Sequence, residues 1–258
     1  MKLPFLAGML IALAATSASA ETLRIATSAD FPPWEAVDSD GNMVGFDVDF
    51  GNEVCTRIDA ECEWTNQAYD GLLPALIAKQ YDMIVAAISI TDERRQSITF
   101  STAYAQAPAA FANIGDTYAE VSDAAALNEA VNAATVGVQG ASTFEGLMAA
   151  HFKGSDVRVY QRADEIIADL RTGRLDAGLM EISAWEEFAE ANKDIELTMF
   201  GPALTYDVYP ELGAGIGIGL QPSADDLKAR IDAAITSMLE DGTIAAMSQE
   251  WFGYDVSP

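Results

Sequence analysis

Arg94, Glu181 and the segment Gln139-Gly140-Ala141-Ser142-Thr143 carry groups that together complement a zwitterion. A guanidinium can hold a carboxylate through two parallel hydrogen bonds. The backbone N–H groups near Thr143 open an expected helix, and a helix N-terminus favours an anion. Glu181 can accept hydrogen bonds from an ammonium group. Ser28, Ser89 and Thr91 add hydroxyls. Each residue alone has a plainer reading: Arg94 as a surface arginine in Asp92-Glu93-Arg94-Arg95, Thr143 as a helix cap, Glu181 as a solvated carboxylate. What they share is position, because each stands at or just past the end of an expected strand.

The elements that must position them alternate along the chain. Leu23–Thr27 reads as a strand; Asn42–Phe46 reads as another, after the turn Asp38-Ser39-Asp40-Gly41. Phe50–Ile58 reads as a helix and Glu63–Asn66 as a short strand. Asp70 is placed to cap a helix carrying Leu72, Leu73, Leu76 and Ile77, and Met83–Ile90 has the nearly continuous apolar character of a buried parallel strand. A second set follows: strands Ala134–Val138, Val157–Tyr160, Ala177–Met180 and Ile195–Met199, with helices Thr143–Phe152, from Asp164 to near Gly173, and Ser183–Ala191. The C-terminal part returns to a strand, Gly215–Leu220. A helix then starts at Ser223 with Asp226 three residues on and ends at Gly242, and a shorter one carries Met247, Trp251 and Phe252. Strand–helix alternation of this kind predicts parallel sheets with crossover helices. Such sheets bind ligands outside the carboxyl ends of their strands, where the polar residues fall.

The first residues speak to compartment. Lys2 is followed by an apolar run, Phe5–Ala15, interrupted by Gly8, and then by Ala18-Ser19-Ala20. This is the layout of a cleaved secretory signal peptide over residues 1–20, and the run is too short to span a bilayer. No Cys follows it, so lipid attachment there is not expected. Cleavage would remove 20 of the 258 residues and leave 238, with Glu21 first. With half of its residues hydrophobic, the chain can bury a substantial core. A formal charge of −26 argues against nucleic acid or an anionic membrane surface as partner. The acidic residues are scattered, as on a solvated surface, although their field also suits a cationic ligand. Cys55 and Cys62 are the only cysteines. In an exported chain such a pair is expected to form a disulfide.

Other chemistries find little support. The lone His151 is far from both cysteines in sequence, so neither a metal site nor a catalytic Cys–His pair is expected. Gly213, Gly215, Gly217 and Gly219 do not match a dinucleotide-binding fingerprint, and there is no phosphate-binding P-loop. Asp38-Ser39-Asp40-Gly41 starts like a calcium loop, but the remaining ligand spacing fails, and a hairpin turn is the better reading. No cofactor is expected.

Several segments resemble the solute-binding family of polar amino-acid ABC transporters, particularly its lysine/arginine/ornithine- and histidine-binding branch. They are Gly45-Phe46-Asp47-Val48-Asp49, Ser89 to Arg94, Val136-Gly137-Val138 with its following loop, Thr172-Gly173-Arg174-Leu175-Asp176-Ala177, and the ending Asp241-Gly242-Thr243 … Trp251-Phe252-Gly253. The likeness covers the whole mature chain, and Cys55 and Cys62 match that branch's disulfide. It implies a type II periplasmic-binding-protein fold: two α/β lobes joined by two hinge strands, with the ligand in the cleft between them. Lobe one would comprise about 21–108 and 212–258, and lobe two about 109–211. It also implies a monomer in the periplasm that delivers an amino acid to a membrane permease, driven by an ATPase on a separate chain.

By that resemblance, Arg94 binds the α-carboxylate with Ser89 and the backbone at Thr143 and Phe144. Glu181 and the Ala87 carbonyl bind the α-amino group, and Phe31 and Tyr69 sandwich the side chain. Three positions depart from the branch. Ser28 stands where basic-amino-acid binders usually have Asp, Ala86 replaces a common Ser or Gly, and Glu181 replaces the usual Asp. The first change removes the expected anchor for a cationic side chain, with Asp47 or Glu35 as candidate replacements. The expected ligand is a basic or long polar amino acid, or an opine-like derivative; no second basic residue is assigned to the side-chain pocket to suit a dicarboxylic one. Two alternatives share the fold: a periplasmic cyclohexadienyl dehydratase using a buried carboxylate such as Glu181 as general acid, and a ligand sensor that docks on a membrane receptor.

Overall fold

The computed structural model describes residues 20–258; the expected leader, except for its last residue, lies outside them. The chain first builds β1 (Glu21–Thr27), β2 (Asp30–Phe31), β3 (Glu35–Val37), β4 (Met43–Val44), α1 (Phe46–Arg57), β5 (Ala60–Asn66), α2 (Tyr69–Ile77), β6 (Met83–Ile84), α3 (Asp92–Arg95) and β7 (Thr99–Phe100). It then crosses over to form β8 (Ala109–Ile114), α4 (Ala124–Asn132), β9 (Thr135–Gln139), α5 (Thr143–His151), β10 (Asp156–Tyr160), α6 (Ala163–Arg171), β11 (Ala177–Glu181), α7 (Ile182–Ala191) and β12 (Leu197–Leu204). It returns through a 3₁₀ turn, Pro210–Leu212, to β13 (Gly219–Leu220), α8 (Asp225–Glu240) and α9 (Thr243–Phe252).

Two five-stranded sheets form the two lobes, with strand orders β5-β1-β6-β13-β7 and β10-β9-β11-β8-β12, and β2-β3-β4 make a small third sheet. The expectation of purely parallel sheets needs correction. β13 runs antiparallel to both neighbours in the first sheet, and β8 does so in the second. These are the first strands after each crossing. A chain arriving from the other lobe enters at the cleft, beside the carboxyl ends of the parallel strands, so its first strand must run back the other way. The crossings touch each other: Ile216 bridges both Ser89 and Ala105, and its N–H donates to the Ala105 carbonyl at 2.8 Å.

Several element boundaries differ from the sequence reading for identifiable reasons. The strand expected over Asn42–Phe46 stops at Val44, and α1 begins four residues before the expected Phe50. Gly45 turns the chain there with φ 131°, and a Cβ on it would lie 2.3 Å from the Trp34 carbonyl oxygen. The N–H groups of Phe46 and Asp47 then donate to the carbonyls of Pro33 and Trp34, which satisfies two of the unpaired donors at the helix start.

Met83–Ile90 is buried throughout, but only Met83–Ile84 is strand. Ala87 adopts φ 44°, and its N–H donates to Asp47 Oδ2 at 2.6 Å. Asp47 Oδ1 meanwhile accepts from Tyr104 at 2.7 Å. One buried carboxylate on α1 therefore folds the segment after β6 into a loop.

Asp70 lies in the first turn of α2 but is not its cap, a position held by Ala68. Leu72 and Leu76 are buried as expected, whereas Ile77 is 46% exposed. Ser223 has φ 64° and does not cap α8, which starts after Ala224 and ends at Glu240. The strand expected at Ile195–Met199 runs Leu197–Leu204, and that at Gly215–Leu220 is reduced to Gly219–Leu220. Asp38 makes the expected turn, its Oδ1 accepting from the N–H groups of Asp40 and Asn42.

An aromatic cluster packs α1 and α9 against the start of the crossing. Phe50 stacks on Tyr104 with centroids 3.9 Å apart, and Phe252 lies against Trp34 and Phe46. Cys55 and Cys62 are bonded, with Cα atoms 6.0 Å apart, tying α1 to β5.

Candidate functional site

Between the two sheets lies a small cavity, walled from both lobes. Lobe one supplies Ser28 and Asp30 after β1, Phe31 in β2, Glu35 opening β3, Tyr69 opening α2, and Ala86, Ala87 and Ser89 from the buried loop. Lobe two supplies Gln139 at the end of β9, Ser142, Thr143 and Phe144 at the start of α5, and Glu181 at the end of β11. Eight of the nine residues expected from the sequence stand on this wall: Ser28, Phe31, Tyr69, Ala87, Ser89, Thr143, Phe144 and Glu181.

Arg94 is not on the wall itself. It is buried, and it bonds two residues that are: Nη1 donates to the Ser89 carbonyl at 3.0 Å and Nη2 to the Tyr69 hydroxyl at 3.3 Å. Nη2 also donates to the Ala141 carbonyl in lobe two at 2.9 Å. The Thr91 hydroxyl accepts from the Arg94 N–H and holds the turn that aims the side chain inward.

α5 opens on the cavity. Ser142 precedes it, its hydroxyl donating to the Gln139 carbonyl at 2.6 Å. Thr143 and Phe144 are its first residues, and first-turn N–H groups have no partner within a helix. They present partial positive charge to the space beside them.

Glu181 ends β11, paired opposite Ala109. It is only 7% exposed, and among the described residues its Oε2 has no hydrogen-bond partner. Burial lifts its carboxyl to about 7, against the pull of its own backbone N–H and the Arg94 charge. Glu35 is buried more deeply, and its Oε2 is also unpartnered among the described residues. Burial, then the nearby charges of Asp47 and Asp30, hold Glu35 well above the usual carboxylate range. Asp47, the other candidate replacement for an acid at position 28, does not reach the cavity. Its two oxygens are taken by Ala87 and Tyr104.

Asp30 and Gln139 are wall residues that the sequence reading did not assign to ligand. Asp30 has a side chain only 4% exposed. Its Oδ1 accepts from the Ser28 hydroxyl at 2.7 Å, and Arg162 Nη1 from lobe two lies 3.9 Å from Oδ2. Burial raises its pKa, opposed by those two neighbours. The signal for Asp30 was the rule already applied to Ser28, a polar residue just past the end of the first strand. Gln139 obeyed the same rule at the end of β9.

A family model for bacterial extracellular solute-binding proteins, family 3, matches residues 23–254. Among curated proteins, the chain is 34% identical to the lysine/arginine/ornithine-binding periplasmic protein of Escherichia coli (strain K12), over 99% of this chain and 97% of that one. It is 31% identical to the L-arginine-binding protein of Pseudomonas aeruginosa, covering 93% and 92% of the two chains. Among solved structures it is similar to a Salmonella typhimurium periplasmic binding protein studied for high arginine specificity, with TM-score 0.80 and 27% identity over 90% of this chain and 100% of that one. A Silicibacter pomeroyi His/Glu/Gln/Arg/opine-family binding protein in complex with lysine aligns with TM-score 0.78 and 30% identity, over 92% and 99% of the chains. With the match running from the first strand to the end of the last helix, the chain belongs to the bacterial extracellular solute-binding proteins, family 3.

Proposed function

We propose that this protein captures a free amino acid with a basic side chain in the periplasm and delivers it to an ABC permease. The observation that carries this reading is the cavity itself. A helix N-terminus and a nearby guanidinium suit a carboxylate, while Glu181, Glu35 and Asp30 suit cationic groups. Relatives described as binding lysine, arginine, ornithine and histidine support the same class. In this reading Arg94, Ser89 and the backbone at Thr143 and Phe144 take the α-carboxylate. Glu181 and the Ala87 carbonyl take the α-ammonium, and Phe31 and Tyr69 flank the side chain. The lobes are 21–108 with 212–258, and 109–211. The relatives named above are described as binding proteins, so binding without chemistry is preferred to a dehydratase.

A thermal-shift screen over the free amino acids, ornithine, citrulline and octopine tests the class. A ligand at about a hundred times its Kd should stabilise the fold by roughly 2.7 kcal/mol. For a chain of this size that is a rise in Tm of roughly 5–10 °C. The expected responders are arginine, lysine, ornithine or histidine. Stabilisation by glutamate or aspartate alone would overturn the reading.

A further inference from the structure

We infer that a contact away from the ligand, made by Trp34 and Tyr254 of lobe one with Ser183 and Glu186 of lobe two, sets how firmly the closed state is held. It scales affinity for every ligand without choosing among them. This deepens the reading of an amino-acid binder whose lobes close, and rests on it. None of the four residues stands on the cavity wall, so they are positioning residues that act through the lobes they join.

Each half of the contact is built within its own lobe. The Trp34 N–H donates to the Phe31 carbonyl at 3.0 Å, and its carbonyl accepts from the Asp47 N–H at 2.8 Å. Its indole packs edge-on against Phe46, with centroids 5.6 Å apart, and lies 4.8 Å from Phe252. Phe252 in turn lies 6.1 Å from Tyr254. Lobe one thus holds both of its donors on one aromatic strip. Lobe two answers with a single helix. Ser183 and Glu186 stand three residues apart in α7, a spacing that puts them on one face. The Trp34 Nε1–H donates to the Ser183 hydroxyl at 2.9 Å, and the Tyr254 hydroxyl to Glu186 Oε2 at 3.0 Å. α7 begins directly after Glu181, so seating the helix against the strip also seats that cavity-wall carboxyl.

The two bonds differ in weight. Trp34 is fully buried and Ser183 nearly so, whereas Tyr254 is 40% exposed. A buried donor without an acceptor carries its full desolvation cost, while an exposed one turns to water. With the lobes apart, water reaches the indole N–H. With the lobes closed over a residue that lacks the hydroxyl, nothing does. Loss of the Ser183 hydroxyl therefore penalises the closed state alone. Measured affinity falls in proportion to the population of the binding-competent state, by the same factor for each ligand. Choice among ligands stays with the cavity wall.

Calorimetric titration of arginine, lysine, ornithine and histidine against wild type, Ser183→Ala, Tyr254→Phe and the double variant Trp34→Phe/Ser183→Ala tests this. Ser183→Ala should weaken every ligand that wild type binds by about tenfold, with the ratios between ligands unchanged within about twofold. The double variant strands no buried donor, so it should recover to within about threefold of wild type. Tyr254→Phe should cost about twofold. Ligand-free Ser183→Ala should unfold at the wild-type midpoint, because its missing bond is one made on closure. An affinity of Ser183→Ala within about twofold of wild type, or a loss that changes the order of ligands, would overturn the inference. So would a lowered ligand-free midpoint with affinities unchanged, which would make the bond ordinary packing. A double variant that folds but binds as weakly as Ser183→Ala would remove Trp34 from the contact; should it fail to fold, the uniform loss in Ser183→Ala still decides. If wild type binds none of the four ligands but does bind another amino acid, the basic-ligand reading falls, and the same variants titrated with that amino acid decide this inference separately.

Discussion

Arg94 Nη2 donates to the carbonyl of Ala141 at 2.9 Å, joining the residue that follows the buried loop of lobe one to the turn before α5 in lobe two. Ala141 is held for this contact: it takes φ 58°, and its own N–H donates to Glu145. One guanidinium thus touches Ser89, Tyr69 and the opposite lobe. In the proposed function it serves both the ligand carboxylate and closure. Removing one member of a buried charged pair typically costs about 3–5 kcal/mol. At about 1.4 kcal/mol per tenfold, Arg94→Ala should lose roughly two to four orders of magnitude in affinity. Arg94→Lys should also bind poorly, because an ammonium cannot hold carboxylate and carbonyls in that fork. Arg95 is exposed, 6.0 Å from the Phe100 ring, and Arg95→Ala should bind within about twofold of wild type. Calorimetry with arginine checks all three. An Arg94→Ala protein binding within about threefold of wild type would reject the assignment.

Other bonds cross the cleft. Buried Trp34 donates Nε1–H to the Ser183 hydroxyl at 2.9 Å, and Tyr254 donates to Glu186 at 3.0 Å. The arrangement is therefore a closed one, and saturating ligand should favour it. Small-angle scattering should give a smaller radius of gyration with ligand than without. Trp34 fluorescence should change with it, because opening exposes the indole. A radius unchanged at saturation would reject closure, though not binding.

The Cys55–Cys62 bond joins residues seven apart. Closing so short a loop stabilises by about 2–3 kcal/mol in the chain-entropy model. Its reduction should lower the free energy of chemical unfolding by that amount without preventing folding, since α1 and β5 remain packed through Trp64 and Asn52. Thiol labelling under denaturing conditions without reductant should find no free thiol. Two reactive thiols would overturn the pairing.

The order of strands and helices was legible because buried apolar runs and capped amphipathic segments alternate, and strand-end polar residues marked the cavity. What stayed hidden depended on distant contacts. The break after Ile84 is made by Asp47, forty residues away from Ala87. The reversal of β8 and β13 follows from where the chain crosses, which no local pattern encodes. Asp30 was overlooked because the resemblance drew attention to position 28. Only the folded chain shows Ser28 donating its hydrogen to Asp30. Arg94 was expected on the ligand, but its bonds to Tyr69 and Ala141 span elements that no spacing relates.

Glu181 gives the fold and the ligand opposite responses to pH. Burial raises its carboxyl to about 7 in the folded protein, against about 4.3 in an unfolded chain. Between those values the native state binds more protons than the unfolded state, so stability falls as pH rises through that window and levels off above about 7. At about 1.4 kcal/mol per unit the loss is roughly 2–4 kcal/mol. Ligand binding runs the other way. An ammonium group needs the carboxylate ionised, so affinity should climb from pH 5.5 to 8, with proton release on binding below pH 7. Glu35 and Asp30 on the cavity wall, and Asp47 behind Glu35, also carry raised carboxyls, so the total slope in wild type is composite. Glu181→Gln isolates one part. Without ligand it should be more stable than wild type at pH 8 and nearly equal at pH 4. Its arginine affinity should be weaker and less dependent on pH. Thermal melts from pH 4 to 8, with titrations in buffers of different ionisation enthalpy, measure both. Parallel curves for wild type and Glu181→Gln would show that Glu181 does not titrate in this range.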